Sequence, residues 1–184
     1  DDVSEERVKQ WRTLGINRIS LGVQSFQDDT LRMLRRRHDS EQARKAVSMV
    51  ADGGIRNISI DLMYGLPGQT LEQWKSDLLQ AVSLPVTHLS SYALSVEEGT
   101  PLSHMLNSGR LKAVDEELYI AEYEALMDIT IKHQFKHYEI SNFAKDGYIS
   151  QHNSGYWHEI PYLGIGPGAH SYDGKAVRRY NAPR

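Results

Sequence analysis

The sequence predicts an α/β protein whose parallel strands are joined by helical crossovers and arranged as a barrel or partial barrel. Three observations carry this. Helix-period and strand-period segments alternate as α, β, α, β, α, β over residues 1–95. Each strand shows one aliphatic face and one small or polar face, whereas a doubly wound sheet buries both faces and reads as an unbroken apolar run. After Gly99-Thr100-Pro101 the alternation stops. The polar strand faces favour a barrel lumen, and in such folds the site opens at the C-terminal ends of the strands.

Each element follows from local pattern. Ser4 can cap a first helix with Val8, Trp11 and Leu14 on one face, ended by Gly15. In residues 16–25, Ile19, Leu21 and Val23 point one way and Ser20, Gly22 and Gln24 the other. Ser40 can cap a helix over 41–52 whose stripe is Ala43, Ala46, Val47, Val50 and Ala51, stopped by Gly53-Gly54. The strand 57–64 sets Ile58, Ile60 and Leu62 against Asn57, Ser59 and Asp61. Gly65-Leu66-Pro67-Gly68 breaks it, and Thr70-Leu71-Glu72-Gln73 is a capping box opening a helix that carries Leu71, Trp74, Leu78, Ala81 and Val82. A third strand fits residues 88–95.

Beyond it the pattern predicts a short helix, then a long one over about 115–134 with Leu118, Ala121, Ala125, Leu126 and Ile129 inward. From 137 onward come short strand-like pieces, with Asp146-Gly147 and Asp173-Gly174 as possible hairpin turns. Gly164, Gly166 and Gly168 alternate, which does not match the G-x-G-x-x-G dinucleotide spacing and predicts a tight backbone turn. The expected organisation is therefore a barrel segment over 1–100, a helical segment over 101–136 and a β-rich extension over 137–184.

Composition narrows the chemistry. A chain of 184 residues with 40% hydrophobic content can bury a sizeable core. A net charge of -3 and a pI near 6.3 leave no basic field for nucleic acid or an anionic membrane surface, so neither partner is predicted. No run approaches the ~18 apolar residues of a membrane span, and the acidic start from Asp1 to Glu6 is unlike a signal peptide, so the expected compartment is the cytoplasm. The absence of cysteine excludes a thiolate-ligated centre, a disulfide and a cysteine nucleophile within these residues. Histidine and carboxylate ligands stay open, but His133, His137, His152, His158 and His170 show no zinc-site spacing.

The residue chemistry then offers three groupings. Asp61 and Gln24, on the polar faces of successive strands, could hydrogen-bond a ribose or an amino acid, or could be ordinary strand-end polar groups. Arg35-Arg36-Arg37-His38 could present a guanidinium to a carboxylate, or could be a solvated helix end. His152-Asn153-Ser154-Gly155-Tyr156-Trp157 sets a potential iron ligand beside two large aromatics, which suits a flat macrocycle, or is a turn with aromatic anchors.

Taken together, Gly22-Val23-Gln24-Ser25-Phe26, the run Asp61 to Thr70, Gly99-Thr100-Pro101, His152 to Trp157 and Gly164 to Ser171 resemble the oxygen-independent coproporphyrinogen III oxidase family of radical SAM proteins. The resemblance spans nearly the whole chain. It implies the second half of a partial (β/α)6 barrel, with a helical insertion and a small β-rich C-terminal extension, around S-adenosyl-L-methionine and a [4Fe-4S] cluster. By position in the motifs, Gln24, Arg36 and Asp61 resemble the family's S-adenosylmethionine contacts, and Ser95 and His170 align with further positions of that pocket. Arg35 stands where the family usually has glycine, and Glu98 where it usually has proline. The family's three-cysteine cluster loop is expected before Asp1, so the chain resembles a fragment that is inactive alone, and half a barrel is expected to be poorly soluble or to pair with other chains. His152, Asn153, Tyr156 and Trp157 are similar to the motif of the heme chaperone branch, with His152 as possible iron ligand. The implied function is heme binding and delivery to heme-receiving proteins. The alternative is oxidative decarboxylation of a porphyrinogen to protoporphyrinogen IX through a 5'-deoxyadenosyl radical.

Overall fold

A computed structural model describes residues 2–182, which form two compact units divided between Tyr148 and Ile149. The first holds a five-stranded sheet in the order β1-β2-β3-β5-β4, made of Arg18–Gln24 (β1), Asn57–Tyr64 (β2), His88–Ala93 (β3), Lys136–Glu139 (β4) and Asn142–Ala144 (β5). The first three strands run parallel, linked by α2 (Asp28–Met33), α3 (Ser40–Asp52) and α4 (Leu71–Ser83), with α1 (Glu5–Thr13) leading in. This is the parallel α/β layout that the sequence predicts.

The core lies on one face of the sheet, where Ile58, Ile60, Leu62 and Leu89 pack with Val47, Val50, Trp74 and Leu78. Each such side chain contributes about 1.5–3 kcal/mol when fully buried. A one-residue slip of β2 would exchange Ile60 for Asp61 and forfeit this, so core packing fixes which residues face the other side.

Several elements differ from the sequence pattern. Leu14 is 77% exposed. Steps of three residues drift around a helix, so two of them carry Leu14 far from Val8. The cap of α3 is Asp39, not Ser40: its side chain accepts from the Gln42 N–H while Gln42 reaches back to the Asp39 N–H. The box at Thr70 and Gln73 forms as expected. Helix α2 carries no aliphatic stripe to announce it, and β3 ends at Ala93.

After α5 (Pro101–Asn107) and α6 (Glu116–Lys132), the β4-β5 hairpin returns antiparallel against β3, so the expected boundary at 137 falls inside the sheet. Ile140 and Ser141 make its turn, while Asp146-Gly147 follows β5 and joins no pair of strands. Helix α6 buries Ala125 and Leu126 as expected, but also Glu122. The Glu122 carboxylate accepts the Gly65 N–H at 2.8 Å, and its backbone carbonyl accepts the Trp74 indole N–H at 2.8 Å. A helix from outside the βα alternation is thereby tied to the turn that ends β2.

The second unit contains α7 (Gln151–Trp157) and the hairpin β6 (His170–Tyr172) and β7 (Arg178–Tyr180). Asp173 holds the hairpin loop by accepting the N–H groups of Lys175, Ala176 and Val177. Gly164 has no substitute, because a Cβ there would stand 2.1 Å from the His170 carbonyl oxygen. Among the described residues, no helix is long and apolar enough to cross a membrane.

Candidate functional site

The face of the sheet opposite the core is largely polar toward the N-terminal and middle parts of the strands, with Met63 further along β2. From β1 it receives Arg18, Ser20 and Gly22, from β2 Asn57, Ser59 and Asp61, and from β3 His88 and Ser90. Arg18 donates to the Asn57 amide oxygen at 2.9 Å. The buried His88 ring lies 2.8 Å from the Ser59 hydroxyl and 2.7 Å from the Tyr138 hydroxyl, one nitrogen to each. Burial first, then the Arg18 charge, pulls the His88 imidazole down to about 4, so the ring is neutral at pH 7.

Closer to the C-terminal strand ends lies Asp61, directly opposite Ser90 in the parallel register. Its carboxylate accepts from the Ser20 hydroxyl at 3.3 Å, and the Ser90 hydroxyl stabilises its charge from the facing position on β3. Burial pushes the Asp61 carboxyl above the ordinary carboxylate range, while Ser90, Ser20 and last the Arg18 charge pull it back.

Gln24 ends β1 with φ +69, after an irregularity in the pairing with β2. Left-handed backbone at a non-glycine residue is sparsely populated and collects at functional sites. The next residues are fastened by the buried Asp77 of α4, which accepts from the Ser25 hydroxyl at 2.6 Å and the Gln27 amide at 2.9 Å. Arg36, beyond α2, reaches back and donates to the Gly22 carbonyl at 3.2 Å, and His38 meets the Val23 carbonyl at 3.1 Å. An ideal Cβ on Gly22 would stand 2.9 Å from the Gln24 amide nitrogen and 3.4 Å from an Arg36 guanidinium nitrogen. Gln24 and Arg36 are thus brought together over Gly22, on the strand beside Asp61.

The other sequence-derived residues lie elsewhere. Ser95 follows β3 in an exposed loop and donates to Glu97 at 3.2 Å. In the second unit, His152 to Trp157 form a helix rather than a turn, capped by Ser150, which accepts the Asn153 N–H. His152 and Tyr156 are one turn apart, with the tyrosine hydroxyl 3.0 Å from the His152 Nε2 and the rings edge-on at 4.9 Å. Tyr156 and Trp157 are 45% and 57% exposed. His170 sits exposed in β6, its ring centroid 6.1 Å from that of Tyr180.

Arg18, His88, Ser90 and Tyr138 were not singled out by sequence reasoning. The first three share the period-two pattern that exposed Asp61, so their placement could have been read. Tyr138 meets His88 across 50 positions of sequence, and nothing local signals that. Among the described residues, no group of three or more metal-ligating side chains is gathered.

Comparison with known proteins gives this geometry a context. Residues 1–81 match the model of the Radical SAM superfamily. The chain is 41% identical to a Bacillus subtilis protein named heme chaperone HemW, over 95% of this chain and 46% of that one. It is 40% identical to the heme chaperone HemW of Lactococcus lactis, over 93% of this chain and 45% of that one. The chain therefore spans less than half the length of the curated relatives it matches. Coproporphyrinogen III oxidase (HemN) from Escherichia coli, described as a radical SAM enzyme, superposes on 100% of this chain and 44% of its own, with TM-score 0.78 and 20% identity, and so shares its fold. Residues 1–81 thus match the radical SAM superfamily, and over nearly its whole length the chain is a homologue of proteins named heme chaperone HemW.

Proposed function

We propose that the whole protein binds heme and passes it to a heme-receiving protein, with S-adenosylmethionine held on the polar face of the sheet. The match of residues 1–81 to the radical SAM superfamily implies S-adenosylmethionine and a [4Fe-4S] cluster, which together supply one-electron chemistry when bound. With no cysteine among these 184 residues, the thiolates for such a cluster are not among them. S-adenosylmethionine suits the donors and acceptors present. Asp61 offers lone pairs to ribose hydroxyls or an ammonium, Arg36 a guanidinium to a carboxylate, and Gln24 an amide that can do either. Ser95 is proposed as a further contact from the loop after β3.

The observation that carries the heme reading is the 41% identity to a heme chaperone over 95% of this chain. The second unit is consistent with it. On α7, an imidazole with an exposed tyrosine one turn on, followed by the exposed Trp157, offers an iron ligand beside flat apolar surface. The Tyr156 hydroxyl already engages the His152 Nε2 and would orient the ring.

Heme titration into the full-length, cluster-reconstituted protein tests this through the Soret absorbance. His152→Ala is expected to weaken binding by at least tenfold, a loss of about 1.4 kcal/mol. Unchanged affinity would remove His152 as ligand, and turnover of coproporphyrinogen III to protoporphyrinogen IX would replace the chaperone reading with the oxidase one.

A further inference from the structure

Asp61 is gripped from both sides. Ser20 approaches from β1 and Ser90 from β3, the strands that flank β2, and the parallel register sets Ser90 directly opposite the aspartate. Among the described residues no ion pair reaches Asp61, and the Arg18 charge is the weakest of the influences on it. Two hydroxyls from separate strands therefore orient this carboxylate without neutralising it. A carboxylate has about four lone-pair sites, so two donors leave capacity for a ligand while removing the freedom of the side chain to swing. A group fixed before binding loses less rotamer entropy when the ligand arrives. Ser90 is 4% exposed, which confines its hydroxyl to partners inside the protein. Ser20 lies in a strand position open to solvent, where a hydroxyl turned toward Asp61 has water as its alternative.

We propose that Ser20 and Ser90 are positioning residues that aim the Asp61 carboxylate at its ligand. This rests on the reading of Asp61 as an S-adenosylmethionine contact. The charged and titratable groups on the same face are Arg18 of β1, Arg36 over Gly22, His88 of β3, and Lys136, Tyr138 and Glu139 of β4.

The test measures S-adenosylmethionine affinity of the full-length protein by equilibrium dialysis between pH 5 and 8, with urea midpoints confirming folding. Ser20→Ala and Ser90→Ala are each expected to weaken binding about threefold to tenfold, the size of one modest hydrogen bond. In both, the pH below which affinity falls should move upward, because fewer donors favour the ionised Asp61. A merely structural role would not move that midpoint, and Ser90→Thr, which keeps the hydroxyl, should restore it. If Ser90→Ala fails to fold, the exposed Ser20 decides alone. Wild-type affinity and an unmoved midpoint in the serine variants overturn the proposal. Asp61→Asn separates the two ideas: if it binds normally, the reading of Asp61 itself fails, and if it binds poorly while the serine variants are silent, only the positioning role fails.

Discussion

At the scale of single residues, the candidate site depends on what Gly22 lacks. The missing Cβ leaves room for the Gln24 amide and the Arg36 guanidinium, both flexible side-chain ends. In Gly22→Ala these ends would move aside at little cost to the fold. The expected outcome is at least fivefold weaker S-adenosylmethionine binding, about 1 kcal/mol, with thermal stability held within a few degrees. A large loss of melting temperature at unchanged affinity would show that Gly22 serves packing instead. Asp61 was legible in the sequence because a strand alternates its faces, whereas the pairing irregularity between Leu21 and Gln24 sets Gln24 opposite Leu62, so alternation alone does not account for its place over Gly22. The convergence of Arg36 on Gly22 was not legible. It depends on the left-handed residue Arg35 turning the chain back after α2, and no local pattern of charge encodes that return.

At the scale of the element, that same residue shows a helix end built against preference. Arg35 adopts φ +53 just past α2, and the N–H of Arg36 closes on the Leu31 carbonyl. Glycine is the residue that takes this position without a Cβ penalty. Arg35→Gly is therefore expected to raise stability by about 0.5–1 kcal/mol, measured by urea unfolding, and to leave Arg36 on Gly22. A destabilised variant would show that the Arg35 side chain contributes more than its backbone costs. Helices α1 and α4 were readable from their caps and α3 from its apolar stripe, since those signals lie within one turn of the feature they announce. Glu122 on α6 was not, because a periodicity of apolar residues passes over a buried carboxylate whose partner is a distant backbone amide.

At the scale of the whole first unit, stability should carry the signature of His88. Its ring is held near pKa 4, whereas an unfolded histidine titrates at about 6.5. Between those values the unfolded chain binds more protons, so stability falls as pH drops from about 6.5 toward 4, by roughly 3 kcal/mol in full. Burial raises the carboxyls of Asp61, Asp77 and Glu122, and these act in the opposite sense, losing stability as pH rises. The difference between wild type and His88→Gln isolates the histidine. Its urea midpoint should approach that of wild type as the pH is lowered through this window, and parallel profiles would refute the assignment. The parallel α/β layout was legible because its units are local. The return of β4 and β5 to β3 was not, being a pairing between segments that a long helical stretch separates.

The tie between Glu122 and Gly65 spans 57 positions of sequence. While the chain is being synthesised, β1, β2 and β3 can pair as soon as they emerge, but the turn that ends β2 lacks its carboxylate until α6 has followed. At about 5–20 residues per second, the strands stand ready for several seconds before that turn acquires its last hydrogen bond. The turn that ends β2 is therefore the late-maturing part of the sheet that bears it, finished only when a helix from beyond the βα alternation arrives.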